Sequence, residues 1–387
     1  MTPRSLHHAL RDHGLLLSLL AIMAVFQWLT DGVLWQALNL TNLVLQNSYI
    51  VVMALGMLLV IVAGHIDLSV GSLCGFIGAL AAVLMVQNDW GVVPTVGLCL
   101  LCGGLIGALQ GWFVAYARIP SFIVTLAGML IYKGLALLLL QGQSLGPFPQ
   151  AFQSISTGFL SGASLLGWAL STRELTLGLA GTLVLAQLGQ VWQQRQRAQQ
   201  HGMEVPAPLV FALQQLVLAG LALALCERLA SYKGLPHVLV LMAVLAALYQ
   251  FVAQRTTAGR RIYALGGNEK AARLSGIDTA RWTLLAFANM GLLAALAGLV
   301  FAARLNTATP KAGLGFELDV IAACFIGGAS ASGGVGKVMG AVVGAFIMGV
   351  LNNGMSLLGI GIDYQQVIKG LVLLGAVLLD VHYRQRG

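Results

Sequence analysis

Residues 259–278 read GRRIYALGGNEKAARLSGID and form a polar, basic segment between two long apolar stretches of the chain. The rest of the sequence is almost wholly hydrophobic. A compact polar helix in such a chain indicates a segment that lies outside the lipid bilayer and is bound there by something else. We therefore interpret the wider segment 255–281 as a cytoplasmic docking loop.

The order of residues within this docking loop predicts a short helix with defined ends. Asn268 can cap its first turn, and Gly276 can end its last turn. Glu269 near the start and Arg273 near the end match the helix macrodipole. We expect an apolar face made by Leu265, Leu274 and Ile277. A helix this short is marginal in water by itself, so it must be held, either by the protein's own helices or by a separate protein.

Composition identifies the class of protein. Apolar residues make up 58% of the 387 residues, charged residues only 9%, and the mean hydropathy is +0.86, whereas an average soluble domain has roughly 25% charged residues. The apolar stretches are each about 20 residues long, which is the length that a helix needs to cross roughly 30 Å of hydrocarbon. We therefore predict an all-α polytopic membrane protein, with a single transmembrane domain over 1–387. The predicted spans are 10–30, 43–64, 69–87, 92–116, 122–140, 173–193, 209–229, 236–254, 282–303, 318–332, 335–358 and 364–382.

The basic residues indicate how these spans are oriented. If the N-terminus lies in the cytoplasm, most of the 21 Lys and Arg residues fall on the cytoplasmic side, as the positive-inside rule requires. Both termini are then cytoplasmic, and the net charge of +8 calls for no nucleic-acid partner. The predicted cytoplasmic basic residues are Arg4, Arg11, Arg118, Arg195, Arg197, Arg255, Arg260, Arg261, Lys270, Arg273, Arg281, Lys337, Arg384 and Arg386.

Glycines recur at three- or four-residue spacing on several predicted spans, a pattern that lets helix backbones approach closely. Close packing within one chain is one interpretation, and a seam between two copies is the other. The stripes are Gly71, Gly75 and Gly78, then Gly103, Gly107 and Gly111, then Gly340 and Gly344.

Two segments, 64–71 and 317–336, interrupt the apolar pattern with glycines, acids and serines. Interrupted helices persist at membrane depth only when they are buried in protein or line a water-filled cavity. Asp67 is the acid of most interest, because it either lines a path or caps a helix that begins at Ser69. The polar residues that we assign to a candidate translocation path are Asp67, Ser69, Asn289, Asn352 and Asn353.

The sequence lacks the motifs of catalysis and of metal or cofactor binding. Residues 332–337 resemble a phosphate-binding loop, but Ala331 stands where the first glycine is required and Val338 replaces the Ser or Thr that would hold magnesium. We expect no enzyme activity, no cofactor and no metal in this chain. If the chain transports a solute actively, the energy must come from an ion gradient or from another subunit.

Four motifs, in this order along the chain, resemble those of the permease subunits of bacterial ABC importers for monosaccharides of the ribose and xylose type. The resemblance covers most of the chain. Members that carry D-xylose are the most similar, on the grounds of residues 120–129, residues 352–356 and chain length. The four motifs are 64–72 (GHIDLSVGS), 120–129 (PSFIVTLAGM), 259–268 (GRRIYALGGN) with 272–277 (ARLSGI), and 317–323 (ELDVIAA).

The resemblance implies a homodimeric permease in the bacterial inner membrane. Each copy would receive a cytoplasmic ATPase subunit, which holds the ATP and magnesium. The dimer would receive a periplasmic sugar-binding protein, with the outer loops 306–317 and 358–364 as its expected contacts. ATP-driven closure would pull on the docking loop and switch the path between outward and inward access. The residues expected to couple the permease to the ATPase are Gly259, Arg260, Arg261, Tyr263, Gly266, Gly267, Asn268, Glu269, Ala272, Arg273, Leu274 and Gly276.

Residues 142–233 are expected to be an insertion relative to the shorter ribose-type permeases. An insertion must cross the membrane an even number of times to keep segment 255–281 in the cytoplasm. We therefore predict two spans within it and interpret 156–171 as an outer or re-entrant piece.

The alternative function is an ion-coupled secondary transporter of a small polar solute that works alone. It would need paired acids within the membrane and a symmetry between the two halves of the chain. The sequence offers Asp67 and a faint likeness between 64–71 and 317–336.

Overall fold

The computed structural model describes residues 3–160, 162, 164–165, 168–169, 171–202, 205 and 207–385. Apart from one two-stranded hairpin, the regular structure of these residues is helical, which confirms the predicted all-α class. The α-helices are α1 (Pro3–Leu29), α2 (Ala37–Val62), α3 (Val70–Ala82), α4 (Val92–Ala115), α5 (Ser121–Leu140), α6 (Gln150–Thr157), α7 (Thr172–Gln200), α8 (Pro208–Ala230), α9 (His237–Arg255), α10 (Thr257–Gly267), α11 (Glu269–Leu274), α12 (Thr279–Leu305), α13 (Phe316–Ile326), α14 (Val338–Leu357) and α15 (Ile362–Gln385). Strand β1 (Ser164–Leu165) pairs antiparallel with β2 (Trp168–Ala169). A 3-10 turn occupies Val33–Trp35, and a π-helical stretch, Val83–Gln87, continues α3.

Nine helices of the described residues are long and apolar enough to cross a membrane. Each predicted span coincides with one helix, but the prediction of a full span at 318–332 is wrong. Helix α13 there has only 11 residues, or about 16 Å, which is roughly half of the hydrocarbon layer. Arg386, one of the predicted cytoplasmic residues, lies outside the described residues. The nine helices are α2, α3 with its π-helical continuation, α4, α5, α7, α8, α9, α12 and α14.

Helix α2 lies at the centre of the bundle. Within its most apolar stretch, 89% of the residues are buried, and α9, α12, α13 and α14 pack around it. Helices α2 and α12 are antiparallel, because Leu45 shares a cluster with Val300 while Gly56 faces Met290. A helix that is apolar all round is expected to be buried on all sides, and α2 is.

Two sets of four helices repeat the same packing pattern. In the first set α4 packs on α12, and in the second set the corresponding helix α14 packs on α2. Helix α3 packs on α12 and α5. In the same way, the corresponding helix α13 packs on α2 and α15. Residues 66–74 (IDLSVGSLC) lead into α3 and residues 316–324 (FELDVIAAC) form most of α13, with Leu, Val and Cys at corresponding positions. The sets α2–α5 and α12–α15 are therefore two structural halves, in agreement with the faint likeness in the sequence.

The glycine stripes lie where helices of the same chain cross, which confirms the first of the two interpretations. A Cβ atom on Gly107 would overlap the Phe287 carbonyl oxygen on α12, and Gly291 of α12 faces Gly107 in turn. Gly344 of α14 faces the Ala323 carbonyl of α13 in the same way. Such contacts let helix backbones approach without intervening side chains.

The region between α5 and α9 forms a peripheral layer. Helix α6 packs on α9 and α12. Helices α7 and α8 pack mainly on each other, so the two spans predicted within 142–233 are present as helices. The α7–α8 hairpin is closed at its base by an antiparallel bridge between Phe159 and Pro236. The predicted outer piece 156–171 contains the end of α6 and the β1–β2 hairpin, while its residues 161, 163, 166, 167 and 170 lie outside the described residues.

Candidate coupling face and translocation path

The docking loop folds as two short helices, α10 and α11, whose first turns are capped by side chains. Asn268 caps α11 by accepting a hydrogen bond from the Ala271 N–H at 3.0 Å. Thr256 caps α10 by accepting one from the Gly259 N–H at 3.3 Å. Gly276 follows α11 with a φ of +81°, a left-handed conformation that glycine adopts at little cost. The predicted cap and end of α11 are confirmed.

Helix α10 is pressed against the ends of the transmembrane helices. A Cβ atom on Gly266 would overlap the Val62 carbonyl oxygen at the end of α2. The same carbonyl accepts a hydrogen bond from the Gly334 N–H at 2.8 Å. The Tyr263 hydroxyl donates to the Gly336 carbonyl at 2.7 Å. Helix α10 is therefore tied to α2 and to the loop between α13 and α14, which belong to different structural halves.

The opposite face of the docking loop is exposed. Arg260 and Arg273 are exposed and form no ion pair among the residues that the structure describes. The Arg261 guanidinium lies 5.4 Å from the centre of the Trp282 ring. Leu274 is 90% exposed, although it lies outside every candidate span. This face therefore offers positive charge around a free apolar side chain.

The prediction of one apolar face on the docking loop is wrong. Leu265 belongs to α10 and is buried against the core, whereas Leu274 is exposed on α11. Ala272 is the buried residue of α11. A Cβ atom on Gly267 would meet nothing within 4 Å, so packing requires glycine at Gly266 but not at Gly267.

A cleft of about 830 Å³ lies beside α11. It is lined by His65, by Arg118 and Pro120 ahead of α5, and by Glu269 and Arg273. Burial lowers the pKa of His65 below its ordinary value, and the Glu269 carboxylate opposes that shift. Three of the four motifs that carry the family resemblance therefore meet at one face of the protein.

Asp67 is buried just ahead of α3. Its Oδ1 accepts hydrogen bonds from the Ser69 N–H at 2.8 Å and from the Ser69 hydroxyl at 2.7 Å. Gln110 of α4 donates to the Ser69 hydroxyl oxygen at 2.9 Å. Of the two interpretations of Asp67, the N-cap is wrong, because α3 begins at Val70 and Asp67 binds Ser69, the residue before it, rather than an N–H of its first turn. We call Asp67, Ser69 and Gln110 the first polar cluster.

A second polar cluster joins α13, α14 and α15. The Lys369 Nζ lies 3.0 Å from Asp319 Oδ2, and the Asn352 amide donates to the same oxygen at 3.3 Å. The side chains of Asp319 and Lys369 are 5% and 25% exposed. Among the described residues, Asp319 Oδ1 and Asn352 Oδ1 have no hydrogen-bond partner.

Sequence reasoning missed Asp319. Its partner Lys369 is fifty residues away, and no local pattern connects the two. The available signal was the repeat, in which Asp319 occupies the position of Ser69 when 316–324 is aligned with 66–74. Both polar clusters therefore lie at corresponding places in the two structural halves.

The remaining predicted path residues form hydrogen bonds between helices. Asn353 and Asn39 exchange amide hydrogen bonds of 3.1 and 3.0 Å, which join α14 to α2. The Tyr249 hydroxyl donates to Asn289 Oδ1, which joins α9 to α12. These bonds involve neither polar cluster.

The two predicted outer loops differ in exposure. In segment 306–317, Ala308 and Gly313 are buried, and Gly313 packs against the start of α3 at Gly71. Most of segment 358–364 is exposed. Only the second loop therefore presents a continuous surface.

Within the described part of the chain, no group of three or more His, Cys, Asp or Glu side chains could hold a metal ion. The segment that resembles a phosphate loop packs on α10. Gly333 and Gly334 there have φ angles of +80° and +74°, and Gly334 faces Gly267. This glycine run therefore serves a backbone contact.

Comparison with known proteins gives a consistent set of relatives. Residues 39–377 match the family described as branched-chain amino acid transport system / permease component. The Xylose transport system permease protein XylH of Escherichia coli (strain K12) is 42% identical over 376 residues, covering 95% of this chain and 91% of that protein. The Haemophilus influenzae protein of the same name is 39% identical over 382 residues, covering 97% and 98%. The Ribose import permease protein RbsC of Escherichia coli (strain K12) is 34% identical over 371 residues, covering 96% and 94%. No solved structure matches the chain.

Proposed function

This chain belongs to the family of transport-system permease components, and from that premise we propose that it is the membrane-spanning subunit of an ATP-driven importer of D-xylose. The chain is a multi-pass protein of the inner membrane. Its similarity to both xylose and ribose permeases supports a monosaccharide as the substrate, and the higher identity to the xylose permeases favours D-xylose. Its proposed partners are a cytoplasmic ATPase, a periplasmic sugar-binding protein and a second copy of the chain.

The docking loop is the observation on which the ATP-driven mode depends. Arg260 and Arg273 provide positive charge, and Leu274 provides an apolar side chain that no other part of the described chain covers. An exposed apolar residue within a polar rim is typical of a protein contact. We assign this face, with the adjacent cleft, to the ATPase.

Helix α10 transmits the movement of the ATPase into the membrane. Gly266 touches the end of α2 at Val62 and the loop between α13 and α14 at Gly334. Backbone contacts this close leave no side chain to absorb a displacement. A shift of α10 therefore moves elements of both structural halves together, as alternating access requires.

The two polar clusters are the proposed lining of the path. Asp67 and Ser69 form part of the first cluster, and Asp319, Asn352 and Lys369 form the second. The Oδ1 atoms of Asp319 and Asn352 are buried and have no partner in the described part of the chain, so they would become acceptors for sugar hydroxyl groups only when the path opens. The exposed loop 358–364 is the proposed contact for the sugar-binding protein.

Replacing Leu274 with Glu tests the assignment of the coupling face. The side chain is 90% exposed, so the change is expected to leave the fold intact and to abolish co-purification of the ATPase. Leu314→Glu is the matched control, because Leu314 is 62% exposed in a predicted outer loop. Normal ATPase retention by the Leu274 variant would refute the assignment.

An ion-coupled secondary transporter is the second candidate, because the Asp319–Lys369 pair supplies a buried charged group that such a mechanism needs. Uptake by proteoliposomes separates the two. The importer requires the ATPase, the binding protein and ATP, and should take up D-xylose in preference to D-ribose. Uptake driven by a proton or sodium gradient with this chain alone would support the second candidate.

A further inference from the structure

The α7–α8 hairpin contains a cleft that shares no residue with the docking loop or with the two polar clusters. The cleft has a volume of about 510 Å³ and lies between the last turns of α7 and the first turns of α8. Amide, aromatic and cationic side chains from both helices line it: Trp192, Arg195, Gln196, Gln199, Phe211 and Gln215.

Arg195 is the charged group of this cleft, and it has no carboxylate partner within the described residues. Its guanidinium carbon lies 4.6 Å from the centre of the Phe211 ring, and the Trp192 ring lies 6.2 Å from the same ring. The Nη1 atom is shielded from solvent and finds no hydrogen-bond acceptor in the described part of the chain. A planar cation of this kind favours an anion whose oxygens accept several hydrogen bonds at once.

The depth of Arg195 indicates which anion can reach it. From Thr172 to Arg195, α7 rises about 35 Å at 1.5 Å per residue, slightly more than the roughly 30 Å of the hydrocarbon layer. Phe211 lies in the first turn of α8, at the same end of the hairpin. Trp192 is a residue type that is enriched at the membrane interface. If Thr172 lies at the outer surface, this length brings the cleft to the headgroup layer on the side that the positive-inside rule predicts to be cytoplasmic.

Little of the described chain covers the helices that form the cleft. None of the most apolar stretch of α8 is buried, and only 17% of that of α7. Leu209, Leu213 and Leu216 follow the helical spacing away from the cleft and are 71%, 51% and 70% exposed. Acyl chains can lie along this face while a headgroup occupies the cleft.

We propose that the cleft binds the phosphate of an anionic phospholipid of the cytoplasmic leaflet. Arg195 provides the charge, and the amide groups of Gln196, Gln199 and Gln215 donate to the remaining phosphate oxygens. The site is independent of the transport mechanism, so its failure would leave the importer proposal untouched.

Native mass spectrometry of the full-length protein tests this site, after incubation with equal amounts of phosphatidylglycerol and phosphatidylcholine. The unmodified protein is expected to retain phosphatidylglycerol preferentially. Arg195→Gln should lower that retention about tenfold, because charge-assisted hydrogen bonds are lost. Arg197→Gln removes the same charge from the same helix outside the cleft lining, and should retain the lipid as the unmodified protein does.

Gln215→Glu is a second variant, which keeps the Arg195 cation. An acid in the cleft supplies Arg195 with a partner, so retention should again fall about tenfold. The proposal is overturned if both cleft variants retain the lipid normally, or if millimolar inorganic phosphate displaces it, which would assign the cleft to a soluble anion. Loss of ATPase co-purification in Arg195→Gln with unchanged lipid retention would overturn it in favour of a protein contact.

Discussion

The central bundle and the α7–α8 hairpin use glycine to opposite effect. In the bundle, Gly107 and Gly291 lie where α4 crosses α12, and a Cβ atom on either would overlap the facing backbone. In the hairpin, a Cβ atom added to Gly181 or Gly189 would have no other atom within 4 Å. Glycine in a membrane helix therefore indicates close packing only where a second helix is present, and composition alone does not separate the two cases.

The ion pairs of the two regions differ in the same way. In the bundle, the side chains of Asp319 and Lys369 are 5% and 25% exposed. In the hairpin, those of Glu227 and Arg173 are 42% and 62% exposed. A buried charge that loses its partner is costly, whereas an exposed one is hydrated. The two regions should therefore respond very differently to the same kind of substitution.

The largest contrast is expected for glycine substitutions. Gly107→Leu forces α4 away from α12, because the new side chain would have to occupy backbone space. We expect it to lower the free energy of unfolding by more than about 4 kcal/mol. The measurement is unfolding in mixed micelles, with the recovery of monodisperse protein as a second readout.

Gly181→Leu is the control for that experiment. The same side chain there would extend into open space at the hairpin surface, and the variant should unfold like the unmodified protein. Equal losses for both variants would show that the hairpin is packed against a partner outside this chain.

Removing one member of the buried pair should have the next largest effect. Lys369→Met removes the cation that faces the buried Asp319, at a cost of about 3–5 kcal/mol. The double variant with Asp319→Leu removes both charges and should recover most of that loss. A single variant as stable as the unmodified protein would mean that water already hydrates Asp319, and would favour a wet path at this position.

The sequence predicts those features of the structure that depend on residues close together in the chain. Hydropathy predicted where helices lie, and the capping residues predicted both ends of α11, since these are properties of neighbouring residues. The glycines after α13 predicted that the helix is interrupted there, but they did not predict that α13 has only 11 residues.

Contacts between distant segments could not be predicted in this way. The Asp319–Lys369 pair, the exchange between Asn353 and Asn39, and the bond from Gln110 to Ser69 depend on how helices and loops meet. The exposure of Leu274 depends on the rotation of α11 relative to α10, which a short amphipathic pattern does not determine. The roles of these residues in coupling and in the path stay predictions.

Deleting the hairpin tests whether it is separable from the bundle. The Phe159–Pro236 bridge and the hydrogen bond from the Leu160 N–H to the Leu235 carbonyl, 2.9 Å, bring the chain ends together. Residues 161–234 can therefore be replaced by an Asn-Gly turn. We expect a loss of about 2–3 kcal/mol, comparable to losing one buried leucine such as Leu229, with ATPase co-purification retained. Failure of the deletion variant to bind the ATPase would show that the hairpin belongs to the coupling machinery.

The smallest effect is expected at the exposed ion pair of the hairpin. Glu227→Gln removes the carboxylate that faces Arg173, but both side chains are largely exposed. The change should therefore alter the free energy of unfolding by less than about 1 kcal/mol. The same titration used for Lys369→Met measures it, ideally at low and high salt, because a small screened interaction weakens as salt is added. A loss as large as that of the buried pair would mean that this end of the hairpin is desolvated by a partner, and the distinction between bundle and hairpin would no longer hold at their charged residues.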